Sequence, residues 1–175
     1  MKKAYLLLAS VLLFAACKST PSTETAASTA APAYPYKIKN PDNWLIDTSH
    51  TNTMVALNAL KSYETMDTVL MKKCFADSLT FKYDGGIFKG SIGQLIKNIG
   101  SMGTTMKNVK LDVKDWEAVV SKDKKEEWVT IWYTQHWTDE KGKADSVEYI
   151  NDMALKGGKI FKFDEYIRHF KMPGK

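Results

Sequence analysis

Residues 74–86, CFADSLTFKYDGG, decide the fold, because the hydrophobic period changes from helical to extended within them. Upstream, Asp67 is a good helix N-cap, and the apolar positions that follow it have helical spacing: Leu70, Met71, Cys74 and Phe75. From Ser78 to Tyr83 apolar residues alternate with polar ones, and Asp84-Gly85-Gly86 supplies a turn. The stretch therefore predicts a short helix that leads directly into a strand.

Two further helices flank this stretch. Thr51 to about Glu64 carries apolar residues at helical spacing, including Leu60 and Tyr63, which predicts an amphipathic helix before Asp67. Ser91 and Gln94 fit a capping box at the start of a third helix, which closes near Gly100 or Gly103.

Beyond the third helix the hydrophobic period changes to two residues, which is typical of strands. Four strands are predicted: Met106–Val120, Glu126–Thr138, Ser146–Leu155 and Lys159–Ile167. The connections are short, which favours an antiparallel meander. In the first strand Trp116 breaks the parity set by Val113, and this break predicts a β-bulge. The order of elements predicts an α+β fold with three N-terminal helices packed on a strongly curved antiparallel sheet.

The face of the sheet away from the helices is also partly apolar. In the strand Glu126–Thr138, Trp128 and Trp132 have the parity opposite to the core positions. A solvated face should be polar there, so the pattern predicts a homodimer in which a second copy covers these side chains.

The N-terminus has the pattern of a secretory signal peptide. Lys2 and Lys3 precede a short apolar run that ends in Phe14-Ala15-Ala16-Cys17. The run stops well short of the roughly 20 apolar residues that a transmembrane helix needs. Small residues before a cysteine resemble the lipobox of bacterial lipoproteins, although Phe14 stands where leucine is usual. The resemblance implies cleavage after residue 16 and lipidation of Cys17.

This reading divides the chain into three parts. Residues 1–16 are the signal peptide, residues 17–47 the lipidated cysteine with a Ser/Thr/Ala/Pro-rich tether, and residues 48–175 the folded domain. The expected location is the bacterial cell envelope, with the lipid anchored in the outer membrane.

Charge, cysteine and histidine patterns predict no nucleic-acid, cofactor or metal partner. The formal net charge is +5, and two of the positive charges are those of Lys2 and Lys3 in the signal peptide. The remaining lysines are interspersed with acidic residues. Cys74 has no partner for a disulfide and is expected to be a small buried apolar residue. His50, His136 and His169 lack the spacing of metal ligands.

Residues 48–170 resemble the nuclear transport factor 2-like superfamily, which includes SnoaL-like polyketide cyclases and ketosteroid isomerases. The resemblance rests on these features, in order: Asp67, residues 74–81, Gly90, Trp132, Gly157-Gly158-Lys159-Ile160 and Glu165-Tyr166. It implies a cone-like α+β barrel with a central pocket between the helices and the concave face of the sheet, commonly in a dimer. The same fold serves enzymes and non-catalytic binding proteins, so it does not decide between them.

The residues of ketosteroid isomerase chemistry are not retained. That family uses a carboxylate base, a tyrosine and a protonated acid. Here Tyr83 stands at the position of the base, Ala59 at that of the tyrosine and Asn151 at that of the neutral acid. A phenol is a poor base at neutral pH, so isomerase chemistry by that mechanism is not expected.

Another carboxylate could replace the missing base, and the register of the last hairpin decides which one faces the pocket. If Gly157-Gly158 closes a two-residue loop, Asp164 and Tyr166 face the pocket. A one-residue bulge would instead place Phe161, Phe163 and Glu165 there.

Strand parity predicts a ligand pocket with one apolar wall and several hydroxyl groups. Its expected members are Tyr83, Tyr133, Trp137, Tyr149, Asn151 and Tyr166. The favoured function is a membrane-tethered domain that binds a small, largely apolar molecule. One alternative is a SnoaL-like isomerase, cyclase or hydratase that uses Asp164 as acid and base, and another is a protein-interaction module.

Overall fold

The computed structural model of the chain describes residues 34–102 and 105–168. The predicted signal peptide, Cys17, most of the predicted tether and His169 lie outside these ranges. The chain divides into two units, Met1–Lys39 and Asn40–Lys175. Every helix and strand in the described ranges belongs to the second unit, and none of those helices is long and apolar enough to cross a membrane.

The described part of the second unit contains three helices and seven strands. In chain order they are β1 (Trp44–Ile46), α1 (Thr51–Thr65), α2 (Thr68–Cys74), β2 (Phe75–Tyr83), β3 (Gly86–Ser91), α3 (Ile92–Met102), β4 (Lys107–Ser121), β5 (Glu127–Thr138), β6 (Ala144–Lys156) and β7 (Lys159–Arg168). The three predicted helices and the four C-terminal strands are confirmed, and so is the α+β class. Strands β1 and β3 were not predicted.

The strands form one mixed sheet in the order β1-β4-β5-β6-β7-β2-β3. The meander from β4 to β7 is antiparallel, as predicted. The prediction of a wholly antiparallel sheet was wrong, because β2 pairs with β7 in parallel. Strand β2 precedes the meander and joins its far edge, so its direction is set by the long connection through α3 and not by a tight hairpin.

Strand β1 lies in the segment that the sequence analysis assigned to the tether. It pairs with β4, with Trp44 opposite Ser121, and the amide of Asp47 donates a 2.8 Å hydrogen bond to the carbonyl oxygen of Ala118. All three residues of β1 are exposed. A three-residue edge strand that buries nothing leaves no periodic signal in the sequence.

Two local predictions about the helices are confirmed by hydrogen bonds. The Asp67 carboxylate accepts from the amides of Val69 and Leu70, at 3.0 and 2.9 Å, and so caps α2. At α3, the Ser91 amide donates to Gln94 Oε1 at 2.9 Å and the Gln94 amide donates to Ser91 Oγ at 3.3 Å. These two bonds form the predicted capping box.

The predicted bulge in β4 is also confirmed. The pairing of β4 with β5 shifts by one residue between Val113 and Asp115, at the point where Trp116 changes the apolar parity.

The core lies between the helices and one face of the sheet. Ala56 of α1, Val129 and Ile131 of β5, Met153 of β6 and Ile160 of β7 are all fully buried. Burial of each of the large side chains contributes about 1.5–3 kcal/mol, which holds the helices against the strands. The candidate site lies in this interlayer space.

Candidate functional site

A cavity of about 170 Å³ lies between the three helices and the central strands of the sheet. Most of its wall is aliphatic or aromatic, with side chains that include Ala59, Leu60, Leu79, Leu95, Ile99 and Phe163. The polar atoms in the lining come from Tyr63, Tyr83, Tyr133, Gln135, Tyr149 and Glu165. An engineered apolar cavity of about 150 Å³ in another protein binds benzene, so this volume suits a molecule of similar size.

The elements place these polar side chains by their ordinary periodicity. In α1, Ala59 and Tyr63 are four residues apart and face the cavity one turn from each other. In β2, Leu79, Phe81 and Tyr83 alternate with polar residues, and all three line the cavity. Tyr83 is 38% exposed, so it lies where the cavity is accessible to solvent.

Two tyrosines form a stacked pair in the sheet wall. Tyr133 and Tyr149 are directly opposite each other in the β5–β6 ladder, and their rings stack at 5.2 Å with an interplanar angle of 11°. Behind them, fully buried Asn151 donates a 2.9 Å hydrogen bond from Nδ2 to the Tyr133 hydroxyl. Burial, and secondly the negative charge of Glu165, raise the pKa of Tyr133.

Glu165 of β7 is the carboxyl group of the cavity. Burial raises the pKa of Glu165 to about 7, and the nearby charge of Asp84 adds to the effect. Burial also raises the pKa values of Tyr63 and Tyr149, to which the charge of Glu165 contributes. Among the described residues that line the cavity there is no lysine, arginine or histidine. The carboxyl group is therefore poised between its neutral and charged forms near neutral pH.

Gly86, the first residue of β3, leaves room for the Tyr83 ring to lie against the backbone of the β2–β3 hairpin. Tyr83 pairs with Gly86, and a Cβ atom on Gly86 would lie 2.9 Å from the Tyr83 hydroxyl oxygen. The Tyr83 ring contacts Phe81 at 5.2 Å, and Phe81 packs edge-on against Phe163 at 4.9 Å. An aromatic row thus runs from the cavity edge into its interior.

The predicted pocket residues fall into three groups. Tyr83, Tyr133 and Tyr149 line the cavity, and Asn151 lies directly behind Tyr133. Trp137 is on β5 but does not contribute to the lining. Tyr166 lies on the opposite face of the sheet, 55% exposed, in a hollow that Trp132 also lines.

Asp164, the predicted acid and base, does not line the cavity. Its carboxylate forms ion pairs with Lys162 at 2.8 Å and with Lys82 at 3.7 Å, and Lys82 is its partner in the β2–β7 ladder.

Asp164 is turned away from the cavity by a register shift between β6 and β7, at the step from Ala154 to Leu155. Because of it, Asn151 is opposite Glu165 and Tyr149 is opposite Ile167. Gly157-Gly158 does close a two-residue loop, with Lys156 opposite Lys159, but Phe161 is an extra residue in β7, so that Ala154 pairs with Lys162. This bulge places Phe163 and Glu165 at the cavity in place of Asp164 and Tyr166. Phe161, which the bulge alternative also placed there, is 41% exposed and does not line the cavity.

Sequence reasoning did not assign Tyr63 or Gln135 to the pocket. Tyr63 was recognised on the apolar side of α1, four residues after Ala59, and that spacing was the available signal. The Gln135 side chain lowers the pKa of Tyr63 against the larger, raising effect of burial, and Gln135 Nε2 contacts Met106 Sδ at 3.6 Å. The sequence did not indicate Gln135 as a pocket residue. Its amide interrupts the apolar residues that share its parity in β5, and such an interruption does not indicate burial.

The described residues contain no group of three or more histidine, cysteine or acidic side chains that could hold a metal ion. Cys74 is buried at the end of α2, as expected for a small apolar residue, and burial raises its thiol pKa.

The domain is similar in structure to several solved proteins. A nuclear transport factor 2-like protein of unknown function from Burkholderia pseudomallei has a TM-score of 0.56 and 13% identity, over 67% of this chain and 91% of that one. A putative SnoaL-like polyketide cyclase from Jannaschia has a TM-score of 0.57 and 12% identity, over 75% and 91%. A protein with a ketosteroid isomerase-like fold from Catenulispora acidiphila, solved in complex with trimethylamine, has a TM-score of 0.53 and 15% identity, over 64% and 83%.

These likenesses show that the domain has the nuclear transport factor 2-like fold, as the resemblance implied. At such low identity they establish the fold alone. No family model matches the sequence, and no curated protein matches it.

Proposed function

We propose that the domain binds a small, largely apolar molecule in the cavity and is held at the bacterial envelope by a lipid on Cys17. The observation that carries this proposal is the composition of the cavity wall, where aliphatic and aromatic side chains surround a few hydroxyl groups and one carboxyl group. Pockets of this composition are typical of small-molecule sites.

The size of the cavity limits both the ligand and its affinity. A ligand of about six or seven carbons gains at most about 5 kcal/mol from burial, at about 0.8 kcal/mol for each CH₂ group. Apolar contact alone therefore supports a dissociation constant near the millimolar range. Tighter and more selective binding has to come from the polar atoms of Glu165 and the tyrosines. The Catenulispora protein, which has a ketosteroid isomerase-like fold and was solved in complex with trimethylamine, supports a small ligand.

A second candidate function is proton transfer, and the environment of Glu165 favours it. A general acid or base works best when its pKa is near the operating pH, and burial raises the pKa of Glu165 to about 7. In this candidate Glu165 takes the role that the sequence analysis gave to Asp164. The putative polyketide cyclase among the structural neighbours supports this candidate in a general way.

A homodimer through the outer face of the sheet is a further proposal, compatible with both candidates. Trp132, Ile150 and Tyr166 form a row across β5, β6 and β7, and Ile150 and Tyr166 are 40% and 55% exposed. Beside the row, Glu148 pairs with Lys114 and Arg168. Adjacent charges of both signs suit a two-fold contact, in which the same patch meets itself. A protein that sediments as a monomer at high micromolar concentration would remove this proposal.

The binding proposal is tested with the protein extracted from bacterial membranes. Native mass spectrometry should show a non-covalent small-molecule adduct on the wild type and on Met54→Phe, which enlarges an exposed side chain of α1. Ala59→Phe, which projects a ring into the cavity from the same helix, should carry none. Equal adducts on Ala59→Phe and wild type would place the ligand elsewhere.

A further inference from the structure

The charged and polar side chains that line the cavity indicate which polar group a ligand should carry. The lining contains one carboxyl group, Glu165, and the phenols of Tyr63, Tyr83, Tyr133 and Tyr149. Within the described residues that line the cavity, none carries a positive charge. A buried carboxylate is costly unless it is paired with a cation or neutralised by a proton. No described side chain in the lining supplies this cation, so Glu165 can pair with a cation that enters the cavity.

The aromatic wall favours the same kind of partner. The faces of aromatic rings carry negative electrostatic potential and attract cations, and this attraction strengthens when the ligand is desolvated. The stacked pair Tyr133–Tyr149 and the row of Phe81, Tyr83 and Phe163 present such rings around the cavity. The aliphatic remainder of the wall suits a hydrocarbon chain or ring.

We infer that the ligand is a small alkylammonium ion, whose N–H groups donate to Glu165 and whose hydrocarbon part lies against the tyrosine rings and the aliphatic wall. This inference rests on the proposed function and specifies the chemical class of the ligand. A neutral ligand with an oxygen acceptor would need Glu165 in its protonated form, so the two classes have opposite dependence on pH.

The titratable groups around Glu165 come from one helix, three strands and one turn, while α2 and α3 contribute only apolar side chains to the lining. They are Tyr63 of α1, Tyr83 of β2, Asp84 of the β2–β3 turn, Tyr133 of β5 and Tyr149 of β6. Burial raises the pKa of Tyr63, Tyr133 and Tyr149, so these phenols stay neutral at the pH values of the test. Asp84 adds negative charge, which favours a cationic ligand.

The test compares cyclohexylamine with cyclohexanol, two probes of nearly the same shape, by calorimetric titration of the purified full-length protein at pH 6 and pH 8.5. An alkylamine, like a lysine side chain with a reference pKa near 10.4, is charged at both pH values. Cyclohexylammonium should bind about tenfold more tightly at pH 8.5, which is the gain in ionised Glu165 for a pKa of about 7. Cyclohexanol should show no such gain.

Two variants distinguish the effect of the Glu165 carboxyl group from that of a neighbouring carboxyl group outside the cavity. Glu165→Gln should bind cyclohexylammonium at least tenfold more weakly at pH 8.5 and should retain cyclohexanol. Asp164→Asn, the adjacent carboxyl group outside the cavity, should keep the wild-type preference and its pH dependence.

The outcomes are distinct. Cyclohexanol binding without a preference for the amine at pH 8.5 would overturn this inference and leave the proposed binding function standing. Failure of both probes to bind the wild type, together with no co-purified adduct, would overturn both.

Discussion

The Asn151 side chain donates its amide N–H to the hydroxyl of Tyr133 at 2.9 Å, from a position with no solvent exposure. This bond occupies an acceptor site of the phenol oxygen, so the Tyr133 O–H remains able to donate into the cavity. The stacked Tyr149 ring limits the movement of Tyr133. Asn151 therefore fixes the orientation of the Tyr133 hydroxyl in the cavity wall.

A double-mutant cycle on this pair measures the coupling. Asn151→Leu should lower the free energy of unfolding by about 1–3 kcal/mol, because it leaves the buried Tyr133 hydroxyl without its partner. Tyr133→Phe should have a similar effect through the Asn151 amide. The double variant should lose clearly less than the sum in denaturant unfolding. Additive losses would show that the two side chains do not depend on each other.

Glu165 should make the protein less stable as the pH rises. Its pKa is about 7 in the folded state and near 4.3 in an unfolded chain. The folded state therefore holds the proton more tightly, and the free energy of unfolding falls as the pH rises from about 4 to 7, with a total of about 3 kcal/mol from this group.

Glu165→Gln removes this dependence. The variant should be about 3 kcal/mol more stable than the wild type at pH 8.5 and similar to it near pH 4, in urea unfolding across that range. Glu140→Gln, in the exposed turn between β5 and β6, is the matched control and should follow the wild-type curve. A wild-type curve that Glu165→Gln leaves unchanged would contradict the raised pKa of Glu165.

Gly90 and Gly93 should respond to alanine with opposite signs. A Cβ atom at Gly90 would lie 2.6 Å from Gln94 Oε1 and 2.8 Å from the Phe88 ring, which displaces the capping side chain of α3. Gly90→Ala should cost about 0.5–2 kcal/mol of stability through the lost cap. At Gly93 the nearest atom is 3.9 Å away, so Gly93→Ala should stabilise the helix by up to about 1 kcal/mol. Thermal unfolding distinguishes the two, and equal effects would refute this explanation.

The predicted processing of the N-terminus is tested at Cys17. If Cys17 carries a thioether-linked diacylglycerol, the wild type should partition into detergent and carry the mass of its acyl chains. Cys17→Ser should be soluble or uncleaved. A native-host protein that retains residues 1–16 would contradict the predicted lipidation.

The fold could be predicted well where side chains are buried with a regular period. Helices α1 to α3 and strands β4 to β7 each bury one face, and their apolar residues repeat accordingly. The exposed edge strand β1 has no such pattern. The parallel pairing of β2 with β7 depends on contacts between segments about 80 residues apart, which no local pattern encodes.

The sequence predicted which strand faces line the site, but not the one-residue register shift in β7. The parity of each strand correctly indicated that Tyr83, Tyr133 and Tyr149 share the helix-facing side of the sheet. One extra residue in β7, Phe161 opposite the Ala154–Leu155 step of β6, then places Glu165 instead of Asp164 at the cavity. Because side chains alternate between faces, one extra residue reverses every assignment beyond it.

Methyl NMR with cyclohexanol, a neutral probe, tests most directly whether the cavity is a ligand site. In the wild type and in Met54→Phe, the methyl signals of Leu79, Leu95 and Ile99 should shift and saturate as the probe concentration rises, because these side chains line the cavity. In Ala59→Phe the same signals should not respond to the probe. Responses confined to exposed residues such as Ile87 and Ile150, or identical responses in all three proteins, would contradict a binding cavity between the helices and the sheet.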